Sequence, residues 1–503
     1  MTLSQKIGFF GGLLISAIIF FFVELDPANP LVTKTAAIAA LMATWWLTEA
    51  IPLAATSLLP LVLFPYMGII NGEDIAATYF NDVIFLFLGG FLLAIAMEKW
   101  NLHKRIALRV ITFFGGSPNS IIIGFMVATA FISMWISNTA TAVMMLPIGL
   151  AIIKKIEAEF GEERTKNFSV ALMLSLAYSC SLGGIGTLIG TPPNLAFIKI
   201  YKIIFPEAPQ ISFGSWMMLA VPISILMLLF TALLLLKFYY KLDKDLSLDP
   251  NFIRDEYKKL GKISFEESVV GIVFSAAALL WIFRADLDLG FAKIPGWGNL
   301  FAFPKFLNDG VVAITMALSL FFIPSRSDKK MILDSTAFSK VPWGIILLFG
   351  GGFALAEGFT SSGLSEFIGT KFHGIKDLSP FFITISVAFV VIFLTELTSN
   401  TAVAQMILPV MASVSVAIGV NPLLLMITAT IASSLGFMMP VGTPPNTIVF
   451  ASERLKISDM AKAGFAINIL SIILVSLLVY LLGSILFDLG TFPDWAKTPQ
   501  LKD

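Results

Sequence analysis

Two long stretches of this chain carry almost no charge, yet each has a polar cluster near its centre. Residues 378–452 contain one charged side chain, Glu396, and include Thr-Glu-Leu-Thr-Ser-Asn-Thr-Ala over residues 395–402. Residues 110–153 contain none and include Ser-Met-Trp-Ile-Ser-Asn-Thr-Ala over residues 133–140. A cluster of this kind finds few partners in lipid, so it must face protein, water or a ligand.

Composition places these stretches in a membrane protein. The chain has 503 residues, of which 57% are hydrophobic and 13% are charged, whereas an ordinary soluble domain carries about 25% charged residues. Apolar runs near the length of a membrane span recur along it, and the alternating pattern of a β-barrel is absent. The net charge of zero gives no indication of nucleic-acid binding. The single cysteine, Cys180, excludes an intrachain disulfide. We therefore expect an all-α polytopic protein in the lipid bilayer of the cell (inner) membrane.

The distribution of basic residues predicts the orientation. With a cytoplasmic N-terminus and eleven spans, about two thirds of the 33 Lys and Arg residues lie on the inside. This arrangement places the C-terminus on the extracytoplasmic side.

The chain also repeats itself. Gly89-Gly90-Phe91 and Ser137-Asn138-Thr139 recur at Gly351-Gly352-Phe353 and Ser399-Asn400-Thr401, and Gly-Thr-Pro-Pro-Asn occurs at both 190–194 and 442–446. In the predicted topology the first polar cluster is entered from inside and the second from outside. The two halves therefore form an inverted repeat, which is typical of secondary transporters with a binding site near the bilayer midplane.

The repeat divides the chain into three parts. The first half (1–239) contains hairpin 1 (117–156), entered from inside, and a helix broken around 188–195. A cytoplasmic loop (240–265) follows. The second half (266–503) contains hairpin 2 (379–418), entered from outside, and a helix broken around 440–447. In both copies Gly-Thr-Pro-Pro-Asn interrupts the helix, because its two prolines remove backbone donors.

Each hairpin region could be a pair of full spans or a re-entrant hairpin. A turn that reaches the water interface would gather charged residues, and Ser-Asn-Thr-Ala has none, which favours re-entrant hairpins. At such a tip the first arm ends in free carbonyl groups and the second begins with free N–H groups. One tip therefore offers oxygens to a cation and N–H donors to an anion.

The hydroxyl groups at the tips predict a cation site. Ser133 with Ser137 and Thr395 with Ser399 have i, i+4 spacing, which puts two hydroxyls on one helix face. Hydroxyl and carbonyl oxygens suit a hard cation such as Na⁺. The alternative is that each hydroxyl bonds back to a carbonyl of its own helix.

Charge favours sodium coupling over exchange. The basic residues nearest the first cluster are Arg109 and Lys154, and those nearest the second are Lys376 and Arg454. Bound cations must therefore offset a dianionic substrate, helped by helix N-termini. Glu396 could bind a cation or a proton, or it could bond to neighbouring backbone or to Glu49.

These motifs resemble the divalent anion:sodium symporter family, which includes sodium-coupled dicarboxylate, citrate and sulfate carriers. The resemblance rests on both Ser-Asn-Thr clusters, both Gly-Thr-Pro-Pro-Asn loops, the stretch from Ser434 to Val449, and Trp-Leu-Thr-Glu-Ala-Ile-Pro at 46–52. It extends from about residue 35 to the last span.

The resemblance implies a homodimer built on a scaffold, with an elevator-type transport region. It implies two sodium sites, formed by Ser133, Ser137, Asn138 and the backbone of Gly190, and by Thr395, Thr398, Asn400 and the backbone of Gly442. At Thr398 the carbonyl, rather than the hydroxyl, is the expected ligand. The substrate carboxylates would lie between the two tips, at Ser137, Asn138, Thr139, Ser399, Asn400 and Thr401, against Thr443 and Pro444.

The sequence thus predicts a sodium-coupled importer of C4-dicarboxylates such as succinate, fumarate and malate. Citrate, sulfate and sodium-independent exchange are alternatives on the same fold. A channel would need a continuous polar path, and an enzyme would need a Ser/His, Cys/His or metal constellation at membrane depth. Neither pattern is present, so we expect a transporter rather than an enzyme.

Overall fold

The structure is a computed structural model that describes residues 1–243, 245–246, 250–288, 292–372, 374 and 376–497. It is almost entirely helical. The helices of the first half are α1 Leu3–Phe22, α2 Pro30–Thr48, α3 Leu53–Thr56, α4 Leu59–Met67, α5 Gly72–Ala77, α6 Asp82–Lys99, α7 Leu102–Thr112, α8 Pro118–Ser133, α9 Asn138–Phe160, α10 Glu162–Gly184, α11 Pro192–Ile204 and α12 Phe213–Leu233. A π-helical turn, Leu234–Tyr239, continues α12.

The second half is built in the same way. Its helices, after α13 Pro250–Lys259 in the central loop, are α14 Phe265–Ile282, α15 Asp309–Phe322, α16 Thr336–Ser339, α17 Trp343–Ser361, α18 Leu364–Lys371, α19 Pro380–Thr395, α20 Asn400–Ala417, α21 Pro422–Ala432, α22 Pro444–Phe450 and α23 Ile457–Phe487. The one described sheet is the antiparallel pair β1 Leu287–Asp288 and β2 Lys293–Ile294, with Leu287 opposite Ile294. Short 3₁₀ turns lie at 297–300, 304–306 and 494–496.

Nine helices in the described part of the chain are long and apolar enough to cross a membrane, and several shorter apolar helices accompany them. The all-helical membrane fold predicted from the sequence is therefore confirmed. Both first arms of the hairpins, α8 and α19, have only 16 residues, which is less than the roughly 20 that a membrane span needs. The number of spans and the sidedness remain predictions.

Corresponding helices of the two halves begin in the same way. Helix α8 follows Ser117, whose side chain accepts from the N–H of Ser120, and Pro118 fills the first turn. Helix α19 follows Ser379, which accepts from the N–H of Phe382 with a proline next in sequence. Serine followed by proline is a strong helix start, because the cap satisfies a free N–H and proline lacks one.

The breaks in the two long helices differ in length. The first separates α10 from α11 and covers residues 185–191, close to the predicted position. The second separates α21 from α22 and covers residues 433–443, so it begins well before the Gly-Thr-Pro-Pro-Asn motif at which we predicted it. The backbone can leave the helix this early because Glu396 accepts hydrogen bonds from N–H groups in the segment.

The hairpins meet the broken helices across the repeat. Helix α9 of hairpin 1 packs against α22, and α20 of hairpin 2 packs against α11. Helices α10 and α21 are buried along most of their length. The two tips and the two unwound segments therefore come together in the interior of the protein, where the halves interlock.

Candidate functional site

Each hairpin tip is a short non-helical link between two helices. Helix α8 ends at Ser133 and α9 begins at Asn138, while α19 ends at Thr395 and α20 begins at Asn400. Four residues therefore separate the last residue of one arm from the first residue of the next in both halves. The four sequence-predicted residues named here stand at the two tips, at corresponding positions.

The tip of hairpin 1 places two oxygens around one hydroxyl. The Oγ of Ser133 lies 2.7 Å from Oδ1 of Asn138 and 2.8 Å from the carbonyl oxygen of Cys180. Ser133 is fully buried and Asn138 is half-buried. A hydroxyl has one hydrogen and can donate to only one of the two acceptors. One of these two acceptor oxygens is therefore left without the Ser133 hydrogen.

The tip of hairpin 2 repeats this arrangement. The Oγ1 of Thr395 donates to the carbonyl oxygen of Ser433 at 2.8 Å, and it lies 2.7 Å from the side-chain amide of Asn400. The surroundings of that amide favour the orientation in which Nδ2 faces Thr395, Ser433 and the carbonyl of Gly442, the last at 3.3 Å. Both tips therefore hold a hydroxyl, an asparagine amide and a carbonyl from the opposing helix.

These contacts correct one prediction. Because α8 ends at Ser133 and α19 ends at Thr395, the i, i+4 hydroxyl pairs do not lie on one helix face. Ser137 instead caps α9, accepting from the N–H of Ala140 at 3.3 Å. The alternative, in which the hydroxyls bond back into their own helix, does not hold either, since both donate to a neighbouring helix.

Glycines allow the unwound segments to approach the tips. A Cβ atom on Gly184 would collide with Oδ1 of Asn138. A Cβ on Gly190 would lie 2.5 Å from the carbonyl oxygen of Gly184 and 2.9 Å from that of Met134. In the second half, a Cβ on Gly442 would lie 2.9 Å from Oε2 of Glu396. The backbone of the predicted glycine positions is therefore within reach of each tip.

An asparagine in each Gly-Thr-Pro-Pro-Asn motif holds its unwound segment. The Nδ2 of Asn194 donates to the carbonyl of Thr187 at 2.7 Å and lies within 3.4 Å of the carbonyl of Gly184. The Nδ2 of Asn446 donates to the carbonyls of Gly436 and Met439, at 3.1 and 3.0 Å. Both asparagines are fully buried. Their side chains replace helical hydrogen bonds that the breaks remove.

The link between tip and unwound segment is chemically different in the two halves. In the first half, the Thr187 hydroxyl donates to the carbonyl of Met134 and accepts from the N–H of Gly190. In the second half, the Glu396 carboxylate takes this role. It accepts from the N–H groups of Phe437, Met438 and Met439, at 2.6, 2.8 and 3.0 Å.

Glu396 has a fourth partner. Its Oε1 also accepts from Nδ2 of Asn468, on α23, at 2.7 Å. A carboxylate with several N–H donors is a favourable way to bury a charge. Of the alternatives that the sequence left open for Glu396, the bonds to neighbouring backbone are the ones that form.

The other predicted residues take different environments. The Thr398 hydroxyl donates to the carbonyl of Trp46 on α2 at 3.1 Å, so it is engaged with α2 and not with the second unwound segment. Ser399 precedes α20 and is half-buried. Thr443 is buried and its Oγ1 accepts from the N–H of Asn446 at 3.3 Å. Pro444, one residue on, is exposed.

No fixed positive charge stands at the site. Among the described residues, no Lys or Arg forms a hydrogen bond or an ion pair with a tip or an unwound segment. Arg454, the basic residue nearest the second cluster in sequence after the tip, is paired with Glu157. The positive potential at the tips therefore comes from the N–H groups at the starts of α9 and α20.

The tips and unwound segments of the two halves differ in the exposure of their side chains. Leu397 at the tip of hairpin 2 is 69% exposed, whereas its repeat counterpart Trp135 is 9% exposed. Val441 is 70% exposed, and its counterpart Ile189 is 7% exposed. The second tip and its unwound segment border open space, while the first tip is covered.

The second arms of the hairpins show the reverse pattern. Thr139 and Val143 on α9 are exposed, whereas their counterparts Thr401 and Gln405 on α20 are buried. Gln405 packs against Gly352 of α17, where any larger residue would collide with it. Neither Oε1 nor Nε2 of Gln405 has a hydrogen-bond partner in the described part of the chain. Along the second arms, α9 is therefore exposed and α20 is covered, although the tip that precedes α20 is itself exposed at Leu397.

Several residues of this site escaped the sequence analysis. The carbonyls of Cys180 and Ser433, the Thr187 hydroxyl and Asn468 carry no local signal, because backbone carbonyls and isolated polar residues occur throughout the chain. The asparagines of the Gly-Thr-Pro-Pro-Asn motifs could have been found, since each follows two prolines at a helix break.

Comparison with known proteins agrees with this geometry. The family described as sodium:sulfate symporter transmembrane region matches residues 7–489. The chain is 46% identical over 449 residues to the "Sodium-dependent dicarboxylate transporter SdcS" of Staphylococcus saprophyticus, covering 88% of this chain and 84% of that protein. It is 44% identical over 446 residues to the protein of the same name from Staphylococcus aureus strain NCTC 8325, covering 87% and 84%.

Two solved structures share the fold. MtrF of Neisseria gonorrhoeae aligns with a TM-score of 0.54 and 15% identity, over 82% of this chain and 84% of that one. YdaH of Alcanivorax borkumensis aligns with a TM-score of 0.55 and 12% identity, over 90% and 99%.

Proposed function

The chain belongs to the sodium:sulfate symporter transmembrane family, and on that premise we propose that it is a sodium-coupled symporter that imports C4-dicarboxylates such as succinate, fumarate and malate. The observation that carries the proposal is the pair of equivalent oxygen clusters at the two tips, which no lysine or arginine among the described residues contacts. The SdcS relatives are named as sodium-dependent dicarboxylate transporters, which supports both the ion and the class of substrate.

Sodium is the cation that these clusters suit. Each offers a hydroxyl and backbone carbonyls, and the first also offers the amide oxygen of Asn138; these are the oxygen ligands that hard cations prefer. At the second tip the Asn400 amide would have to turn over to present its oxygen to the ion. In the proposal one Na⁺ binds among Ser133, Ser137, Asn138 and the backbone of Gly190. A second binds among Asn400, Thr395, the backbone of Gly442 and the carbonyl of Thr398. Na⁺ is a co-substrate that leaves with the anion.

The dicarboxylate would bind between the tips. Its two carboxylates would contact Asn138 with Thr139 and Asn400 with Thr401, bordered by Ser137, Ser399, Thr443 and Pro444. The N–H groups at the starts of α9 and α20 would face the carboxylates, and the bound Na⁺ ions would offset their charge. Because the site holds no fixed cation, substrate binding depends on sodium.

Transport by alternating access is consistent with the unequal exposure of the second arms. In the proposed orientation, hairpin 1 is entered from the cytoplasm, so the exposed side of α9 is the cytoplasmic side. An elevator movement of the hairpins and broken helices against a dimeric scaffold would close this side and open the other. The buried contact between Gln405 and Gly352 would then separate.

Uptake of labelled succinate into proteoliposomes tests the proposal. An inward sodium gradient should drive accumulation, and replacing sodium with choline should abolish it. Uptake that is independent of sodium but requires dicarboxylate inside the vesicles would instead identify an exchanger. Competition by unlabelled fumarate, malate, citrate and sulfate measures the specificity. Stronger competition by citrate or sulfate than by fumarate would overturn the C4-dicarboxylate assignment.

A further inference from the structure

A cavity lies beside hairpin 1, away from the two tips. It has a volume of about 220 Å³ and is enclosed by α7, by the second arm α9 and by α13 of the central loop. Its wall on α9 is apolar and includes Met144, Pro147 and Ile148. Phe252 of α13 also lines the cavity. This apolar wall can therefore pack against part of a hydrocarbon chain.

Three polar side chains line the same cavity, and only one of them is an unpaired cation. Lys104 is exposed and forms no hydrogen bond or ion pair with the described residues. Glu256 is paired with Lys259. The other basic residue next to Lys104, Arg105, is bound by Glu267 at 3.0 Å. The free positive charge at this cavity is therefore the ammonium group of Lys104.

The third polar group, His103, is buried and provides an acceptor. Its Nδ1 lies 2.9 Å from the carbonyl of Met97, so Nδ1 carries the hydrogen and Nε2 is left without one. Burial lowers the pKa of His103, which keeps the ring neutral at physiological pH. The cavity thus combines one cation with two groups, Nε2 of His103 and the Glu256 carboxylate, that can accept hydrogen bonds.

A corresponding cavity lies beside hairpin 2, with its charge reversed. It has a volume of about 130 Å³, and its lining includes Ser365 and Glu366. These residues occupy the repeat positions of His103 and Lys104, at the offset of 262 that relates the two Ser-Asn-Thr clusters. The same structural feature therefore carries a lysine at one face of the protein and a glutamate at the other.

We propose that the cavity beside hairpin 1 binds an anionic phospholipid whose headgroup bears free hydroxyls, as in phosphatidylglycerol. The phosphate pairs with Lys104, the glycerol hydroxyls donate to His103 and Glu256, and part of one acyl chain lies along Met144, Pro147 and Ile148. In the predicted orientation this cavity opens at the cytoplasmic leaflet, where basic pockets between helices bind anionic headgroups. No lysine or arginine is among the described residues that line the second cavity, so the phosphate of the same lipid finds no partner there.

Native mass spectrometry of the purified protein, titrated with phosphatidylglycerol or phosphatidylcholine in detergent, tests this site. We expect the protein to retain phosphatidylglycerol preferentially. Lys104→Ala should weaken this binding by about fivefold, which corresponds to the loss of one lysine near a headgroup. Ile148→Trp, whose larger side chain would fill the cavity beside the apolar wall, should weaken the binding of both lipids. Lys155→Ala removes an exposed lysine from α9, the helix that carries Ile148, and should leave the binding of both lipids unchanged. Glu366→Ala is the control for the second cavity and should also leave binding unchanged.

Three results would overturn the proposal. The first is equal retention of the two lipids. The second is unchanged phosphatidylglycerol binding in both Lys104→Ala and Ile148→Trp, with each variant eluting as the wild type does in size-exclusion chromatography. The third is displacement of phosphatidylglycerol by equimolar oleate, which would identify a free fatty acid as the occupant. These measurements require no transport, so they are independent of the proposed substrate.

Discussion

The Glu396 carboxylate and the Asn468 side chain, 72 residues apart in sequence, are joined by a hydrogen bond of 2.7 Å in the interior of the protein. Three backbone N–H groups of the second unwound segment share that carboxylate. The single acid of a long uncharged stretch thus binds together the tip of hairpin 2, the break between α21 and α22, and α23.

Replacing Glu396 by alanine should destabilise the protein markedly. One buried and two partly buried N–H groups would lose their acceptor. A fully buried group costs roughly 1–3 kcal/mol, so a loss of about 3 kcal/mol is expected for the three together. The melting temperature in detergent measures it. Glu49→Ala is the control, because Glu49 is exposed at the end of α2. A melting temperature for Glu396→Ala equal to that of the control would contradict the structural role.

Asn138→Ala and Asn400→Ala should each abolish succinate uptake while the protein remains folded. Each asparagine stands at the start of a second arm and contacts the hydroxyl of Ser133 or Thr395. No other polar side chain at the tip can replace the asparagine. Uptake at saturating sodium and size-exclusion chromatography check the two parts of this prediction. Asn119→Ala, in the exposed first turn of α8, should transport normally. Near-normal uptake by either tip variant would exclude the paired-tip site.

Ser133→Ala and Thr395→Ala should raise the sodium concentration needed for half-maximal uptake. Losing one oxygen ligand costs about 1–3 kcal/mol, or roughly a 5- to 150-fold change in affinity. At saturating sodium the affinity for succinate should largely recover, because the two ligands bind with linked free energies.

Thr398→Val separates ligand hydroxyls from structural ones. Because the hydrogen-bond partner of the Thr398 hydroxyl is the carbonyl of Trp46 on α2, whereas Thr395 bonds at the second unwound segment, removal of the Thr398 hydroxyl should leave the sodium dependence nearly unchanged. A shift in Thr398→Val as large as in Thr395→Ala would assign the Thr398 hydroxyl to the ion. A reduced maximal rate of Ser133→Ala with unchanged sodium dependence would assign Ser133 to packing.

Gly183→Ala should destabilise the contact between hairpin 1 and α10. A Cβ there would collide with the backbone of Ala130 on α8, and overpacking of this kind costs about 1–3 kcal/mol. Gly11→Ala is a matched control on α1, since nothing lies within 4 Å of its added methyl. The control should gain up to about 1 kcal/mol from helix propensity. Thermal unfolding in detergent should therefore shift in opposite directions.

Sequence patterns predicted those features of the fold that depend on residues close together in the chain. Prolines and glycines marked both helix breaks, and the uncharged Ser-Asn-Thr tips matched in both halves, because capping and helix interruption depend on neighbouring residues. The prediction that Ser133 and Ser137 lie on one helix face was wrong. The i, i+4 spacing aligns side chains only within a helix, and α8 ends at Ser133.

The remaining features depend on distant partners. The second break begins at residue 433 because Glu396, far away in sequence, supplies acceptors for its N–H groups. No pattern near residue 433 could indicate this. The carbonyls of Cys180 and Ser433, which accept from the tip hydroxyls, were missed for the same reason, because any residue type can present a carbonyl and only the packing of α10 and α21 selects these two.

The buried amide of Gln405 has a consequence for turnover. Burying an amide that has no hydrogen-bond partner is unfavourable, because the amide gives up its hydrogen bonds to water. The contact of α20 with α17 is therefore less stable than its buried area alone would predict. In the proposed transport cycle, separating these helices would hydrate the amide and lower the barrier to that separation. Gln405 would then affect the rate of turnover and not the affinity for the substrate.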